Sequence, residues 1–415
     1  MIKKIFCCCN DNYTSEEITN ECNISNECKK KVLIFLNPNS GSGTTLIDFN
    51  KRLLPALRKN NIFFEVIRTE GKNHCLEVAK NIKNLYEYNA VIIMSGDGLI
   101  FEWINGICQR DNKIEIFNNI PIGIVPTGSG NGLLSSIFFA NNISLQKQGF
   151  QERAIEIISS NSAVSSYVNL IHIESESSNY TSFLSVGWGL LANIDIDSER
   201  WRKTLGSHRF FLEALLKVVH IPSYKGKLWY TKRNPNINYE NFKNERKNFV
   251  YSDDKIIKKT DSQLEFDRES NQQEDDLRIY HLNKNIPSIK DPIPTSWNVI
   301  DEEFVFIYAV TLSHISRDGF YMPPAKLDDP NIYLTYCLRK DLPSRRKIIK
   351  FLIDIEDGKH CNHSFINIIK VDSFRLESQT NDSPIVIDGE KINEKVIQAT
   401  TTELKMSVIC NKEDS

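Results

Sequence analysis

The chain has 415 residues, a formal net charge of −2 and 40% hydrophobic residues. This length favours two domains over one, and the apolar content is sufficient for two cores. The nearly balanced charge argues against nucleic acid as a partner. Because no apolar run is long enough to span a bilayer and no secretory signal peptide is visible, the sequence predicts a cytoplasmic protein.

Residues 1–30 are polar and are predicted to form a disordered tail, which contains three consecutive cysteines. Cys7, Cys8 and Cys9 follow two lysines and a phenylalanine, and clustered cysteines after such a start are typical of reversible S-acylation. Acylation there would give transient peripheral membrane association. An unmodified flexible tail is the alternative.

Between residues 31 and 150, short apolar strands alternate with helical segments. This order predicts a three-layer α/β nucleotide-binding domain with a mostly parallel sheet. The predicted strands are 32–36, 63–68, 90–94 and 122–125, and the predicted helices lie near 46–60, 74–85, 101–108 and from 131 onward.

Three of these strands end in loops that are rich in glycine, serine and asparagine. We call them the first glycine loop (37–43, NPNSGSG), the second glycine loop (95–98, SGDG) and the third glycine loop (126–132, PTGSGNG). Open parallel sheets bind ligands at the carboxyl ends of their strands, and glycines let phosphates approach backbone N–H groups. The loops therefore predict one nucleotide site. Asp97 supplies the carboxylate of these loops, and it can accept a proton from a substrate hydroxyl. The alternative role for Asp97 is a helix N-cap.

From residue 151 to 410, strand-like runs dominate and predict an antiparallel β-sandwich. The predicted strands are 163–174, 180–186, 227–231, 304–313, 332–338, 367–376 and 383–387, with helices at 200–219 and 345–356. Residues 232–298 are polar and are predicted to be a mostly disordered insertion. Within 193–197 (NIDID), strict alternation predicts a half-buried strand edge with both aspartates on one face.

These motifs together resemble the diacylglycerol-kinase catalytic superfamily of lipid kinases, and within it most closely the sphingosine kinases. The resemblance is carried by residues 36–43, 95–106, 121–136, 183–210, 374–377 and 387–390. It implies an ATP-dependent sphingoid-base kinase, with ATP and Mg²⁺ between an α/β nucleotide domain and a β-sandwich lipid domain. The γ-phosphate would pass to the primary hydroxyl of sphingosine or a related base.

The resemblance also implies roles for single residues. Asp97 would be the general base, and Asp195 and Ser185 would bind the lipid head group. Asn193 stands where the family usually has an aspartate, and Asn39 where it commonly has an arginine. No direct metal ligand is assigned, although Asp97 and Glu102 are the nearest candidates. The implied nucleotide contacts are Asn37, Asn39, Thr69, Ser95, Gly96, Glu102, Gly128, Ser129, Arg202, Arg209, Asp388, Gly389 and Glu390.

Other interpretations remain at this point. The acceptor could instead be ceramide or diacylglycerol, because Asn193 removes one carboxylate from the implied amine site. NAD kinases also carry a strand followed by GDG, but they lack the third glycine loop. A degenerate, non-catalytic lipid-binding protein is a third alternative. Apolar residues near Phe210, Phe211 and Leu215 are either a membrane-docking patch or core, and a homodimer is left open.

Overall fold

The computed structural model describes residues 30–205, 209–231, 281–282, 285–381 and 383–411. The cysteines predicted to be acylated, the rest of the tail up to residue 29, and residues 232–280 of the polar insertion lie outside the described residues. In the described part of the chain, no helix is both long enough and apolar enough to cross a membrane.

The first half of the chain builds a parallel sheet in the strand order β2-β1-β3-β4. Its strands are β1 Lys31–Leu36, β2 Phe63–Arg68, β3 Ala90–Ser95 and β4 Ile122–Pro126. Strands β3 and β4 are buried along their whole length, as continuous apolar runs predict for strands covered on both faces. The predicted parallel sheet is therefore confirmed.

Helices cover both faces of this sheet. Ile34 and Ile92 face one helical layer and pack with Phe49 and Leu57. The neighbouring side chains, such as Phe35, face the opposite layer and pack with Trp103, because successive residues of a strand point to opposite faces. The three-layer prediction is thus confirmed. The helices are α1 Thr45–Asp48, a π-helical turn Phe49–Leu53, α2 Leu54–Lys59, α3 His74–Asn81, α4 Asp97–Cys108, α5 Lys113–Asn119, α6 Gly132–Ala140 and α7 Phe150–Ser159.

The second half is built mainly from antiparallel strands, as predicted. Helices pack on one face of β9 and β12, where Phe306 stacks on Phe351, while Phe304 and Leu334 of the same strands join the large core on the opposite face. The strands are β5 Val164–Ser175, β6 Asn179–Ser182, β7 Ser185–Gly189, β8 Tyr224–Thr231, β9 Asn298–Val310, β10 His314–Ser316, β11 Gly319–Phe320, β12 Ile332–Leu338, β13 Asn367–Val371, β14 Ser373–Ser378, β15 Ile385–Ile387, β16 Glu390–Ile392 and β17 Val396–Cys410. The helices are α8 Leu190–Ser198, α9 Arg202–Leu205, α10 Arg209–Val219 and α11 Arg345–Asp354.

Strand β17, which the sequence interpretation missed, joins the two halves. It pairs antiparallel with β5 and β14, and Val408 pairs parallel with Ile122 of β4. The parallel and antiparallel parts thereby become one continuous sheet. The loops at the ends of β1, β3 and β4 are therefore held at a fixed position relative to the second half.

The predicted strand edge at 193–197 is wrong, because these residues lie in helix α8. Residues two apart on a helix differ by about 200° in direction, so their side chains cannot share one face. Asp197 instead pairs with Lys217 of α10, and Ile194 is buried in the core beneath α8. Asn193 and Asp195 consequently face different surroundings.

The end of the predicted polar insertion packs against the antiparallel sheet. Ile286, Ile289 and Trp297 are buried there. The Arg375 guanidinium of β14 donates hydrogen bonds to the carbonyl oxygens of Ser288 (2.8 Å) and Asp291 (3.1 Å). Residues 285–297 are thus an ordered cover of the sheet, fixed by a buried arginine that satisfies their backbone.

Candidate functional site

The three glycine loops meet backbone to backbone at the carboxyl ends of β1, β3 and β4. A methyl group on Gly128 would lie 2.5 Å from Cα of Gly96, and one on Gly41 would lie 2.2 Å from the carbonyl oxygen of Thr127. Only glycine permits such contacts, which explains the composition of the loops. The site lies at the point between β1 and β3 where the strand order reverses, the usual ligand position in open parallel sheets. The predicted convergence of the loops is confirmed.

Asp97 is the first residue of α4, and its carboxylate reaches across to the start of α6. Oδ2 accepts a hydrogen bond from the Gly132 amide at 2.7 Å and Oδ1 accepts one from the Leu133 amide at 3.3 Å. Asp97 therefore caps a neighbouring helix, in contrast to the alternative that it caps its own. The residue is 8% exposed, and burial raises the pKa of its carboxyl to about 6. A carboxylate with such a pKa is a stronger base than an exposed aspartate.

The predicted nucleotide contacts of the first glycine loop lie beside the end of β2. A cleft of about 340 Å³ is lined by Asn39, Arg68 and Thr69, together with Pro38 and Glu70. The Asn37 side-chain oxygen accepts a hydrogen bond from the Asn39 amide at 2.9 Å. The sequence interpretation missed Arg68, an exposed arginine at the end of β2. Its position next to the predicted contact Thr69 was the available signal.

The other predicted phosphate-side residues lie at the loop junction. Ser95 ends β3, is buried, and donates a hydrogen bond to the Ser40 hydroxyl of the first glycine loop at 3.3 Å. Gly96 and Gly128 form the backbone contact described above, and Ser129 follows with a partly exposed side chain. These residues present a small polar surface around Asp97.

Glu102 lies one turn beyond Asp97 on α4 and orients the loop that follows β2. Its carboxylate accepts hydrogen bonds from the amides of Asn73 (2.9 Å) and Cys75 (3.1 Å) at the start of α3. Burial raises the pKa of Glu102. Because both oxygens are engaged by the backbone, Glu102 positions the Thr69 loop and is a poor candidate for direct metal ligation.

Glu390, at the start of β16, connects the second half of the chain to the nucleotide side. Its Oε2 accepts a hydrogen bond from Lys72 Nζ at 2.7 Å, and a methyl group on Gly98 would lie 3.1 Å from its Oε1. Glu390 therefore lies directly above the second glycine loop. Lys72, which the sequence interpretation missed, adds a cation to this edge of the site.

Asp388 and Gly389 form the two-residue turn between β15 and β16. Their φ angles are +49° and +86°, the conformation for which hairpins select Asp-Gly. The Asp388 carboxylate accepts hydrogen bonds from the Ser182 hydroxyl and the amides of Phe183, Leu184 and Ser185, at 2.7–3.0 Å. Burial raises its pKa to about 6. The carboxylate thus fixes the start of β7, and its direct contact with a nucleotide stays a prediction.

The two predicted head-group residues both lie beside this turn. The Ser185 hydroxyl accepts a hydrogen bond from the Tyr308 hydroxyl at 3.3 Å. A methyl group on Gly389 would lie 3.9 Å from Oδ2 of Asp195. Asn193 faces elsewhere, because its amide donates a hydrogen bond to the Tyr224 hydroxyl at 2.5 Å. The aspartate that the family usually has at position 193 would therefore face Tyr224 of β8.

The two predicted phosphate-binding arginines follow α8. Arg202 begins α9, but its side chain lies outside the described part of the structure. Arg209 begins α10, is 3% exposed and ion-pairs with Glu199. Its guanidinium lies 4.2 Å from the centroid of the Phe210 ring. Arg209 is thus held within its own segment, and its contact with a nucleotide stays a prediction.

Carboxylates around the glycine loops suit a magnesium nucleotide better than a protein-bound metal. Among the described residues there is no group of three or more His, Cys, Asp or Glu side chains that could hold a metal ion. A magnesium ion carried by phosphates needs only one or two carboxylates and keeps several waters. Glu390, whose carboxylate lies above the second glycine loop, fits that requirement.

The arrangement combines three chemical functions. The glycine loops offer backbone N–H groups and space for phosphates. The Asp97 carboxylate can accept a proton. The Asp195 carboxylate, beside the Asp388–Gly389 turn, can pair with a cation. Such a site can transfer a phosphoryl group to an alcohol, a reaction that depends on positioning, charge neutralisation and a proton acceptor.

Comparisons with known proteins agree with this geometry. Residues 31–165 match the family of the diacylglycerol kinase catalytic domain. The crystal structure of a diacylglycerol kinase from Bacillus anthracis str. Sterne shares the fold, with a TM-score of 0.53 over 93% of this chain and 98% of that one, at 13% identity.

Curated relatives extend over both halves of the chain. Sphingosine kinase 1 of Homo sapiens is 26% identical over 378 residues, which cover 89% of this chain and 88% of that protein. Sphingosine kinase 1 of Caenorhabditis elegans is 39% identical over 390 residues, which cover 92% of this chain and 82% of that protein. Because the Caenorhabditis elegans protein is this similar over most of both chains, the chain belongs to the sphingosine kinase family.

Proposed function

We propose that the chain transfers the γ-phosphate of ATP to the primary hydroxyl of sphingosine or a related sphingoid base, forming sphingosine 1-phosphate. The observation that carries this proposal is the position of Asp97, a buried and basic carboxylate where the three glycine loops meet. Family membership supports ATP as the phosphate donor.

In the proposed reaction the acceptor hydroxyl oxygen attacks the γ-phosphorus, the bond to the β,γ-bridging oxygen breaks, and ADP leaves. Asp97 takes the hydroxyl proton. The backbone amides of the glycine loops and the cations Arg68 and Lys72 neutralise phosphate charge. Magnesium, bound through the phosphates and a carboxylate such as Glu390, would supply further neutralisation.

A sphingoid base carries an ammonium group, which must be paired when it enters an apolar site. Asp195 supports this assignment, because its carboxylate lies next to the Asp388–Gly389 turn and one residue beyond the buried Ile194. Ceramide and diacylglycerol lack the cation and would form no ion pair with this carboxylate. The position of the Asp195 carboxylate beside the Asp388–Gly389 turn therefore favours the amine acceptor over the neutral ones.

Purified protein supplied with radiolabelled ATP and sphingosine, ceramide or diacylglycerol tests the proposal. We expect label on sphingosine, with kcat/KM at least tenfold lower for Asp195→Asn, because a charge-assisted hydrogen bond is lost. Asp197→Asn is the matched control, since Asp197 lies on the same helix and pairs with Lys217. Equal labelling of the neutral lipids would contradict amine recognition.

Access to a membrane-borne acceptor is supported by helix α10. Phe211, Leu215, Leu216 and Val219 are 36–66% exposed and follow helical spacing along one side of α10. Exposed apolar side chains clustered in this way are typical of interaction surfaces. We propose that this surface makes peripheral contact with the bilayer that holds the lipid substrate.

A further inference from the structure

Tyr308 lies near the end of β9, next to the predicted head-group residue Ser185. It pairs with Gly187 of β7, and a methyl group on Gly187 would lie 2.9 Å from Cε2 of the Tyr308 ring. The tyrosine ring therefore occupies the space above that glycine. Its hydroxyl donates a hydrogen bond to the Ser185 hydroxyl at 3.3 Å, and the side chain remains partly accessible.

The Tyr308 hydroxyl lies in the negative electrostatic field of the carboxylates of the site. Burial raises the pKa of this hydroxyl, and the negative charges of Asp195, Asp388 and Asp97 raise it further. The phenol consequently stays neutral and keeps both a proton to donate and lone pairs that accept hydrogen bonds. Its partner Ser185 donates a hydrogen bond from its backbone amide to the Asp388 carboxylate at 2.8 Å, in the turn beside which Asp195 lies.

A second tyrosine in contact with Tyr308 shows a different arrangement. The ring centroids of Tyr308 and Tyr321 are 5.0 Å apart, and the Tyr321 side chain is fully buried. The hydroxyls of Tyr321 and Thr335 are hydrogen-bonded at 2.7 Å, a usual O–H···O length. The 3.3 Å bond from Tyr308 to Ser185 is long by comparison. The Tyr308 hydroxyl therefore retains hydrogen-bonding capacity, whereas that of Tyr321 is committed to the core.

An ammonium group has three N–H donors, and the single carboxylate of Asp195 leaves some of them without an acceptor. Asn193 is turned towards Tyr224. We propose that Tyr308 is a further head-group residue, whose hydroxyl donates to Ser185 and accepts a hydrogen bond from the ammonium group of the sphingoid base. This inference rests on the proposed function, and it identifies the second polar partner of the amine.

Steady-state kinetics of Tyr308→Phe, with Tyr321→Phe as the matched control, test the inference. Tyr308→Phe should raise the KM for sphingosine about threefold to tenfold, as expected for one hydrogen bond, and leave the KM for ATP unchanged. Tyr321→Phe removes the hydroxyl of the neighbouring tyrosine, which is bonded to Thr335, and should leave both constants unchanged. In an Asp195→Asn background, the effect of Tyr308→Phe on the sphingosine KM should shrink, because both residues act on one group.

The outcomes separate this inference from the proposed function. A Tyr308→Phe protein whose sphingosine KM equals that of wild type, or whose ATP KM rises to the same extent, overturns the role of Tyr308 while sphingosine phosphorylation stands. A wild-type protein that does not phosphorylate sphingosine overturns the proposed function and the inference together.

Discussion

Replacing Asp97 with asparagine should stabilise the protein at alkaline pH although it removes the proposed base. The pKa of Asp97 is raised from 3.8 to about 6 by burial. The contribution of the protonated Asp97 carboxyl to the free energy of unfolding is therefore fully present below pH 3.8 and is lost as the pH rises through 6. Above that range, ionisation of the buried carboxyl costs about 3 kcal/mol, at 1.36 kcal/mol per pKa unit.

Asparagine does not ionise, so the variant avoids this cost. Its side-chain oxygen can keep the hydrogen bond from the Gly132 amide but not the longer one from the Leu133 amide. The lost bond costs about 1 kcal/mol. We therefore expect Asp97→Asn to be about 2 kcal/mol more stable than wild type at pH 8 and about 1 kcal/mol less stable at pH 4.

Urea denaturation at pH 4, 6 and 8, followed by tryptophan fluorescence, measures this difference. Asp111→Asn is the control, because Asp111 is exposed and exposed substitutions have small effects. Its midpoint should match that of wild type at each pH. If the stability of Asp97→Asn relative to wild type stays constant or falls from pH 4 to pH 8, the assignment of a costly buried charge to Asp97 is refuted.

Three further substitutions probe other parts of the site. Gly128→Ala places a methyl group 2.5 Å from the backbone of the second glycine loop, so ATP binding measured by calorimetry should weaken more than tenfold; unchanged affinity would contradict the packing of the loops. Arg68→Ala should raise the KM for ATP about threefold to tenfold by removing a cation from the cleft, whereas Arg58→Ala, an exposed arginine on α2, should not. Leu216→Ser should reduce co-sedimentation with phosphatidylcholine vesicles, and the exposed Val299→Ser should leave it unchanged; equal loss in both would argue against the α10 surface.

The sequence predicted the parallel sheet and its glycine loops well, because their signals are local. Each buried strand of the parallel sheet reads as a continuous apolar run, and each glycine loop follows directly from one. The Asp388–Gly389 turn is likewise encoded by two adjacent residues. Long-range contacts were harder to predict. Neither the pairing of β17 with β4 nor the contact of Glu390 with Lys72, 318 residues away along the chain, has a signal in its own neighbourhood.

The error at 193–197 shows why short patterns mislead. Five alternating residues fit a strand edge, but a helix of nine residues also accommodates them. Here tertiary packing decides, since Leu190, Leu191 and Ile194 together face the core beneath α8. That spacing is helical and becomes visible only when the preceding glycine-rich strand is recognised as ending at Gly189.

The most direct test of the proposed chemistry is the rate of phosphate transfer at a saturating concentration of both substrates. Rapid-quench measurement of label transfer from ATP to sphingosine should show a 10²- to 10⁴-fold slower step in Asp97→Asn than in wild type. The dissociation constant for magnesium ATP, measured by calorimetry on the same preparations, should agree within about twofold, because the glycine loops remain in place. A transfer rate within tenfold of wild type would contradict the assignment of Asp97 as the base.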